Sequence, residues 1–223
     1  MREISTPFVG LYGACSTMAL SLCMASLALE TGGFDNCIAA TSSHFCSAEK
    51  QFRFPLEYGG QRAPTAQWTV TGSGAAVLSA EADDTLPYID KIHIGTIEDL
   101  GITDAANMGA AMAPAAADTI IAHLSDLGLA PDYYDAIITG DLGVVGSEIL
   151  CDLIKKEGYD ISSKHIDCGM ILYDIKGQDV HAGASGCGCC ASVLCGHFLP
   201  EMEKGKYKKE ENLLKVKRVY NEK

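Results

Sequence analysis

One cysteine stands where the chain turns through small residues into a helix, in the sequence Gly13-Ala-Cys-Ser-Thr-Met18. The apolar content of residues 16–29 predicts a buried helix, and the Gly32-Gly33 pair is suited to end it. Cys15 is therefore expected at a helix N-terminus, where the macrodipole and the unbonded N–H groups favour a thiolate. A cysteine in that position can act as a covalent nucleophile, or it can form an anion site together with Ser16.

Other side chains that can take part in binding lie far from Cys15 in the sequence. Arginines offer forked, permanently charged partners for carboxylates, and histidines offer further donors. The alternatives are an ion pair that braces a loop for each Arg, a backbone-bonded loop position for His44, and simple solvation for a lone Asp. The candidates are His44, Arg53, Arg62, Asp141, His181 and Ser185.

A stretch rich in Cys and His near the end of the chain raises the question of zinc. Structural zinc usually takes Cys-x₂₋₄-Cys pairs that come from two separate knuckles. Here Cys-Gly-Cys-Cys opens an apolar helix, and the sequence has no second pair at such a spacing. We therefore predict no metal site and interpret the thiols as small groups that pack a helix against a sheet. The stretch comprises His181, Cys187, Cys189, Cys190, Cys195 and His197.

The composition is that of a folded, acidic protein. Of 223 residues, 48% are hydrophobic and 21% are charged, and the formal net charge is −12. This acidic excess argues against a nucleic-acid surface, which needs clustered Lys and Arg. The ten cysteines are spread through apolar stretches, so we interpret them as reduced thiols. Residues 4–29 carry no charge, but Pro7 and several hydroxyl residues favour a buried helix over a membrane span.

Predicted strands alternate with predicted helices along the chain, which indicates an α/β fold. The predicted strands are 36–41, 69–78, 88–100, 135–140 and 165–175. The predicted helices are 16–29, 113–127 with Pro114 in its first turn, 144–157 and 189–198. Residues 42–64 are predicted as a long loop or a short helix plus a loop, and the charged residues 206–223 as a solvated helix or a frayed end.

Six stretches of the sequence resemble the thiolase-like superfamily and, within it, a sporulation-protein family of endospore-forming bacteria. They are Gly13-Ala-Cys-Ser-Thr-Met18, Ala39-Ala-Thr-Ser-Ser-His-Phe-Cys-Ser-Ala-Glu49, Gln51-Phe-Arg-Phe-Pro-Leu-Glu-Tyr58, Pro64-Thr-Ala-Gln-Trp-Thr-Val-Thr-Gly72, Asn107-Met-Gly-Ala-Ala-Met-Ala-Pro-Ala-Ala-Ala-Asp118 and His181-Ala-Gly-Ala-Ser-Gly-Cys-Gly188. The resemblance implies two similar βα halves, with residues 1–84 as the remainder of the N-terminal half, 85–205 as the C-terminal half and 206–223 as a charged tail. It also implies further elements before the Cys15 turn and after Tyr207, so the chain is expected to be incomplete at both ends.

The resemblance also bears on catalysis. An acyl-transferring member of the superfamily would use the cysteine with a histidine and with an asparagine or a second histidine. At the first partner position the chain reads Gly140-Asp-Leu-Gly143, so a glycine replaces the histidine. At the second position Gly183-Ala-Ser-Gly186 contains no asparagine, although His181 lies close by. The resemblance therefore implies a protein that is not an enzyme, and the alternative is a thioester-dependent acyltransferase that uses Cys15 and His181.

The function that the resemblance implies is binding of dipicolinic acid (pyridine-2,6-dicarboxylate), or of its calcium chelate, for uptake into the developing spore and release at germination. No cofactor is implied beyond calcium carried with the ligand. The expected partners are other membrane proteins of the spore transport complex, and a homodimer is compatible with the same resemblance. The chain itself is expected to be a soluble, cytoplasmic-type protein, not transmembrane, that lies at the spore inner membrane. A structural partner of the membrane channel subunits is a further alternative. The implied ligand contacts are Cys15, Ser16, His44, Arg53, Arg62, Asp141, His181 and Ser185.

Overall fold

Helices and strands alternate along the chain. The computed structural model describes residues 5–47, 61–81 and 85–207, together with the backbone of 210–212. In chain order the elements are α1 (Thr17–Glu30), β1 (Asn36–Ser43), β2 (Trp68–Thr69), β3 (Gly72–Ser79), α2 (Met108–Leu127), β4 (Ala136–Thr139), α3 (Gly143–Lys156), β5 (His165–Asp167), α4 (Cys168–Ile171), β6 (Ala184–Ser185), α5 (Cys187–Val193), α6 (Leu199–Glu203) and β7 (Glu210–Asn212). A 3₁₀ turn, Ala14–Ser16, precedes α1, and a π-helical segment, Leu194–Phe198, joins α5 to α6.

Helix α1 forms where the sequence predicts a buried helix. Its buried apolar side chains recur every three or four residues, which is the spacing of one packed helix face. They are Met18, Leu22, Ala25 and Leu29. These side chains join the same apolar cluster as α5, so the helix that begins next to Cys15 is held from one side by the core.

The predicted strand over residues 69–78 divides between two sheets. Strand β2 pairs in parallel with β6, whereas β3 turns away and pairs antiparallel with β1, with Thr41 opposite Gly74. Helix α5 packs closely on β3 at that point. A side chain at Gly74 would lie 2.7 Å from the carbonyl carbon of Ala191 on α5, so only glycine fits there. The β2–β6 pair brings residue 185 alongside residue 69, and this pairing positions the candidate site.

Strand β4 separates two apolar clusters. Ala136 and Ile138 face the cluster that contains α1 and α5, whereas Ile137 faces the cluster formed with α2 and α3. This alternation is the two-residue period of a strand that is buried on both faces. Strands β5 and β7 pair with β4 in parallel on its two sides. The predicted α/β class is therefore confirmed, with helices on both faces of a parallel sheet.

The prediction of a strand over residues 88–100 is wrong. These residues are all described, and they form an irregular segment that belongs to none of the described sheets. Ile89 is half-buried against the core, but Ile94 is 77% exposed and Ile97 is 98% exposed, so the alternating isoleucines do not share one buried face. The segment lies against α2, where Thr96 Oγ1 donates to Asp118 Oδ2 at 2.9 Å. The alternation of apolar and polar residues was therefore not sufficient to predict a strand, because a strand also needs a neighbour to pair with.

Three boundaries also differ from prediction. Helix α2 begins at Met108 with Asn107 as its N-cap, so Pro114 lies inside the helix rather than in its first turn. The predicted strand 165–175 ends at Asp167, and α4 follows directly. Residues 210–212 form a strand beside β4 instead of the predicted solvated helix or frayed end.

The proposed division of the chain near residue 84 stays a prediction. Among the described residues, no helix combines the length and the apolarity needed to cross a bilayer.

Candidate functional site

The turn that carries Cys15 is tightly hydrogen-bonded. Ala14 has a φ of 46°, the left-handed region that few residues other than glycine adopt. The backbone carbonyl of Gly13 accepts from Ser16 N at 2.9 Å and from Ser16 Oγ at 2.7 Å. Thr17 Oγ1 donates to the carbonyl of Ala14 at 2.6 Å and accepts from Gly13 N at 3.2 Å. These bonds fix the sharp entry into α1, and they direct the side chain of Ser16 back along the chain.

Cys15 meets two polar side chains from distant parts of the sequence. Its Sγ lies 4.0 Å from Ser185 Oγ, at the end of β6. Ser185 Oγ donates to Asp141 Oδ2 at 2.9 Å, and the same carboxylate oxygen accepts from Gly186 N at 2.8 Å. Asp141 is 6% exposed and Ser185 is 1% exposed. Cys15 itself is half-buried, and it is connected to a buried carboxylate through one hydroxyl group.

The expectation that the helix N-terminus favours a thiolate at Cys15 is wrong. Burial raises the pKa of the Cys15 thiol far above its usual value of 9.0, and the negative charge of Asp141 raises it further. The hydrogen bonds offered by Ser185 and Gly186 act in the opposite direction and are outweighed. Cys15 is therefore a neutral thiol at physiological pH. The interpretation of Asp141 as a solvated loop residue is also wrong, since its side chain is buried and hydrogen-bonded.

A second buried carboxylate holds the turn that presents Asp141. Asp167 Oδ2 accepts from Thr139 Oγ1 at 2.6 Å and from Leu142 N at 2.8 Å, and its Oδ1 accepts from Gly143 N at 2.9 Å. These N–H groups stand at the N-terminus of α3, where a negative charge is stabilised. Burial nevertheless raises the pKa of Asp167 to about 6. Asp167 thus fixes the loop on both sides of Asp141.

Gln67 joins the two loops that supply Asp141 and Ser185. It is 4% exposed. Its Nε2 donates to the backbone carbonyl of Asp141 at 2.8 Å and to that of Ala184 at 2.9 Å. The two carbonyls belong to segments that are 43 residues apart in sequence but adjacent in space. Gln67 therefore clamps the two sides of the site together from behind.

Arg62 braces the structure beside Gln67. Its Nη1 donates to the carbonyl of Gln67 at 3.2 Å, and its guanidinium carbon lies 4.0 Å from the centre of the Trp68 ring. That distance is typical of a cation–π contact. Arg62 thus contacts Gln67 and Trp68, and its role as a ligand contact stays a prediction.

The remaining predicted ligand residues are not brought to Cys15 by any described contact. Ser16 is exposed and bonds to the turn, and His44 is exposed at the end of β1. His181 is half-buried, and its Nε2 lies 3.6 Å from Asp179 Oδ1. Arg53 lies outside the described residues. The site as described therefore consists of Cys15, Ser185 and Asp141 from the predicted set.

Sequence analysis missed Gln67, Asp167 and Thr139. The available signal was polar residues inside apolar strand sequences, because a buried amide or carboxylate needs a specific partner. Asp167 and Thr139 each end a strand of the same parallel sheet, so their side chains meet at one edge.

All ten cysteines are free, and several fill the core as predicted. Cys168 and Cys189 are fully buried in the cluster that packs α1 against β4 and α5. A hydrogen bond with Cys190 and burial raise the pKa of Cys168, and burial raises the pKa of Cys189, so both thiols stay protonated. Within the described ranges, no three His, Cys, Asp or Glu side chains cluster in a way that could hold a metal ion.

The arrangement of elements is shared with solved structures of thiolase-like proteins. A structure of Xanthomonas campestris OleA with bound cerulenin superposes with a TM-score of 0.56 at 16% sequence identity, and covers 87% of this chain and 56% of OleA. A variant of the same protein, also with cerulenin, gives a TM-score of 0.57 at 17% identity, over 88% of this chain and 55% of OleA. The fold is therefore thiolase-like, with Cys15 at the start of a central helix.

Sequence comparison defines the family within that fold. The family model described as stage V sporulation protein AD (SpoVAD) matches residues 1–215. The chain is 48% identical over 205 residues to the stage V sporulation protein AD of Bacillus subtilis (strain 168), a match that covers 92% of this chain. The chain belongs to the stage V sporulation protein AD family. It spans 60% of the length of that relative.

Proposed function

We propose that this chain is a ligand-binding protein of sporulation that takes up dipicolinic acid, mainly as its calcium chelate, and does not catalyse acyl transfer. Membership in the family supports a role in sporulation, and the resemblance described above supplies the ligand. The observation that carries the non-catalytic part is the hydrogen-bonded group of Cys15, Ser185 and Asp141. No described contact brings a histidine or a side-chain amide to the sulfur of Cys15.

Acyl transfer from a thioester needs a thiolate and donors aimed at the developing oxyanion. Asp141 in its ionised form can only accept hydrogen bonds, so it cannot stabilise an oxyanion. Its negative charge would also repel one. The neighbouring donors Ser185 Oγ and Gly186 N are both directed at Asp141 rather than outward. These contacts support binding over catalysis.

The charge of the site supports the calcium chelate over free dipicolinate. Free dipicolinate is a dianion, and at Cys15 it would face the carboxylate of Asp141. At an effective dielectric constant near 20, two like unit charges about 5 Å apart repel by roughly 3 kcal/mol. The chelate carries no net charge, because one Ca²⁺ balances two carboxylates, and it therefore avoids this repulsion. Calcium also prefers the oxygen ligands that dipicolinate supplies.

Calorimetry tests the proposal with dipicolinate alone and with dipicolinate plus equimolar calcium chloride. We expect measurable binding, with the chelate bound more tightly than the free acid. Asp141→Asn should reduce the difference between the two ligands, because it removes the repelling charge. Asp160→Asn removes a carboxylate from an exposed loop and serves as the matched control. Absence of heat with both ligands would overturn the proposal and favour a structural partner of the membrane subunits.

The runner-up, a thioester-dependent acyltransferase, is supported by the shared fold and by the strained turn at Ala14. Incubation with an acyl-CoA followed by intact-mass measurement separates it from ligand binding. A stable acyl adduct that disappears in Cys15→Ser would establish the acyltransferase instead. We expect the mass of the protein to stay unchanged.

A further inference from the structure

The hydrogen bonds around Cys15 have a defined direction. A serine hydroxyl has one proton, and the Ser185 proton is committed to Asp141 Oδ2 at 2.9 Å. The Ser185 oxygen therefore turns only lone pairs toward Cys15. At the 4.0 Å contact between Sγ and Oγ, the cysteine must be the donor. The chain of hydrogen bonds is complete only while Cys15 keeps its proton.

Asp141 also competes with the sulfur for a backbone donor. Gly186 N stands at the same turn and donates to Asp141 Oδ2 at 2.8 Å. The two donors that lower the pKa of Cys15, Ser185 Oγ and Gly186 N, thus also donate to one buried carboxylate, which weakens what they can offer the sulfur. Cys189 on α5 also acts on the sulfur, but it is fully buried and supplies no positive charge.

We propose that Asp141, acting through Ser185 and Gly186, holds Cys15 as a neutral thiol and so suppresses its reactivity as a nucleophile. Asp141 is then a positioning residue whose effect is to keep the fold's helix-start cysteine chemically inactive. The inference concerns the free protein and holds whichever ligand the site takes. Failure of dipicolinate binding and failure of this inference are therefore separate results.

Replacing the carboxylate by an amide should remove the negative charge and keep the shape of the side chain. In Asp141→Asn the amide oxygen can still accept from Ser185 Oγ and Gly186 N, but a neutral acceptor holds these donors less strongly than a carboxylate does. Both changes favour the thiolate at Cys15. The variant should therefore convert an inert cysteine into a reactive one without any new residue at the sulfur.

Alkylation by iodoacetamide measures this reactivity. The thiolate sulfur forms a bond to the CH₂ carbon, iodide leaves with the electron pair of the C–I bond, and the thiol proton passes to the buffer. Peptide mass spectrometry follows Cys15 separately, with the exposed Cys46 as an internal reference in every sample. We expect Cys15 of the wild type to react far more slowly than Cys46 at pH 8. Asp141→Asn should react at least about tenfold faster at Cys15, which corresponds to a shift of one pH unit in the midpoint.

The pH profile separates suppression by charge from simple shielding. Shielding lowers the alkylation rate at every pH and leaves the midpoint unchanged, whereas the proposed mechanism moves the midpoint upward relative to Cys46. Ser185→Ala keeps the charge of Asp141, so Cys15 should remain unreactive, and Asp160→Asn should match the wild type. A wild-type midpoint equal to that of Cys46 would overturn the inference, even if Asp141→Asn did not fold. So would a folded Asp141→Asn whose profile matched the wild type.

Discussion

The clamp formed by Gln67 gives a quantitative test of how the site is assembled. Replacing Gln67 by Ala removes two hydrogen bonds, to the carbonyls of Asp141 and Ala184. Each neutral hydrogen bond contributes about 1 kcal/mol, and each carbonyl left buried without a partner adds a cost of about 1 kcal/mol or more. Gln67→Ala should therefore lower the free energy of unfolding by roughly 3 to 4 kcal/mol.

Urea unfolding followed by far-ultraviolet circular dichroism measures this change. With a slope of roughly 3 kcal/mol per molar, the midpoint should fall by about 1 M urea. Gln178→Ala is the matched control, because Gln178 is exposed and its Oε1 accepts one bond from Asp174 N. That change should move the midpoint by less than about 0.3 M, in line with other exposed substitutions.

Gln67→Glu distinguishes the lost hydrogen bonds from lost packing. Glutamate has nearly the same shape, but its carboxylate cannot donate to either carbonyl. We expect the Glu variant to be at least as unstable as the Ala variant at pH 7. A Glu variant as stable as the wild type would refute the clamp, and so would an Ala variant that unfolds together with Gln178→Ala.

Two further predictions concern packing and pH. Gly74→Ala should destabilise the protein by about 2 kcal/mol, because the added methyl group would meet the Ala191 carbonyl. Gly196→Ala is the control, since a methyl group there has open space and should leave the urea midpoint unchanged. Burial raises the pKa of Asp167 from 3.8 to about 6, so the stability that this group contributes is lost as the pH rises through that range. Burial lowers the pKa of His165 from 6.5 to about 4, so the stability that His165 contributes is lost as the pH falls through that range. The two slopes oppose each other in the wild type. In His165→Gln the stability should therefore fall by up to about 3 kcal/mol between pH 4 and pH 6, and a level profile from urea unfolding of that variant would contradict the assignment.

The sequence predicted a helix or strand correctly where the pattern of apolar residues fitted only one type of element. The buried spacing in α1 and the short apolar run of β4 were both found in place. Residues 88–100 misled because alternation reports which side chains are apolar, not whether a neighbouring strand exists. The predicted start of α2 was wrong for a different reason. We placed Pro114 in the first turn, whereas the N-cap is Asn107 and the helix begins about one and a half turns earlier.

The candidate site was predictable only in part, because its contacts join distant segments. Cys15 and Ser185 are 170 positions apart, and Asp141 reaches Ser185 across 44 positions. Local patterns placed Cys15 and Asp141 next to predicted elements and Ser185 in a glycine-rich turn, which limited where they could lie. The role of Gln67 could not be read in the same way, since it depends on two backbone carbonyls whose positions follow from the packed sheet.

The state of the Cys15 thiol illustrates why position on a helix does not decide chemistry. A helix N-terminus contributes about half a unit of positive charge, spread over several N–H groups, and its effect falls off within one turn. Asp141 contributes a full negative charge and draws the Ser185 and Gly186 donors to itself. Burial of the sulfur adds a cost to the charged form that neither donor offsets. Burial of the sulfur and the full charge of Asp141 therefore together outweigh the dipole, and a cysteine at the start of this helix stays protonated.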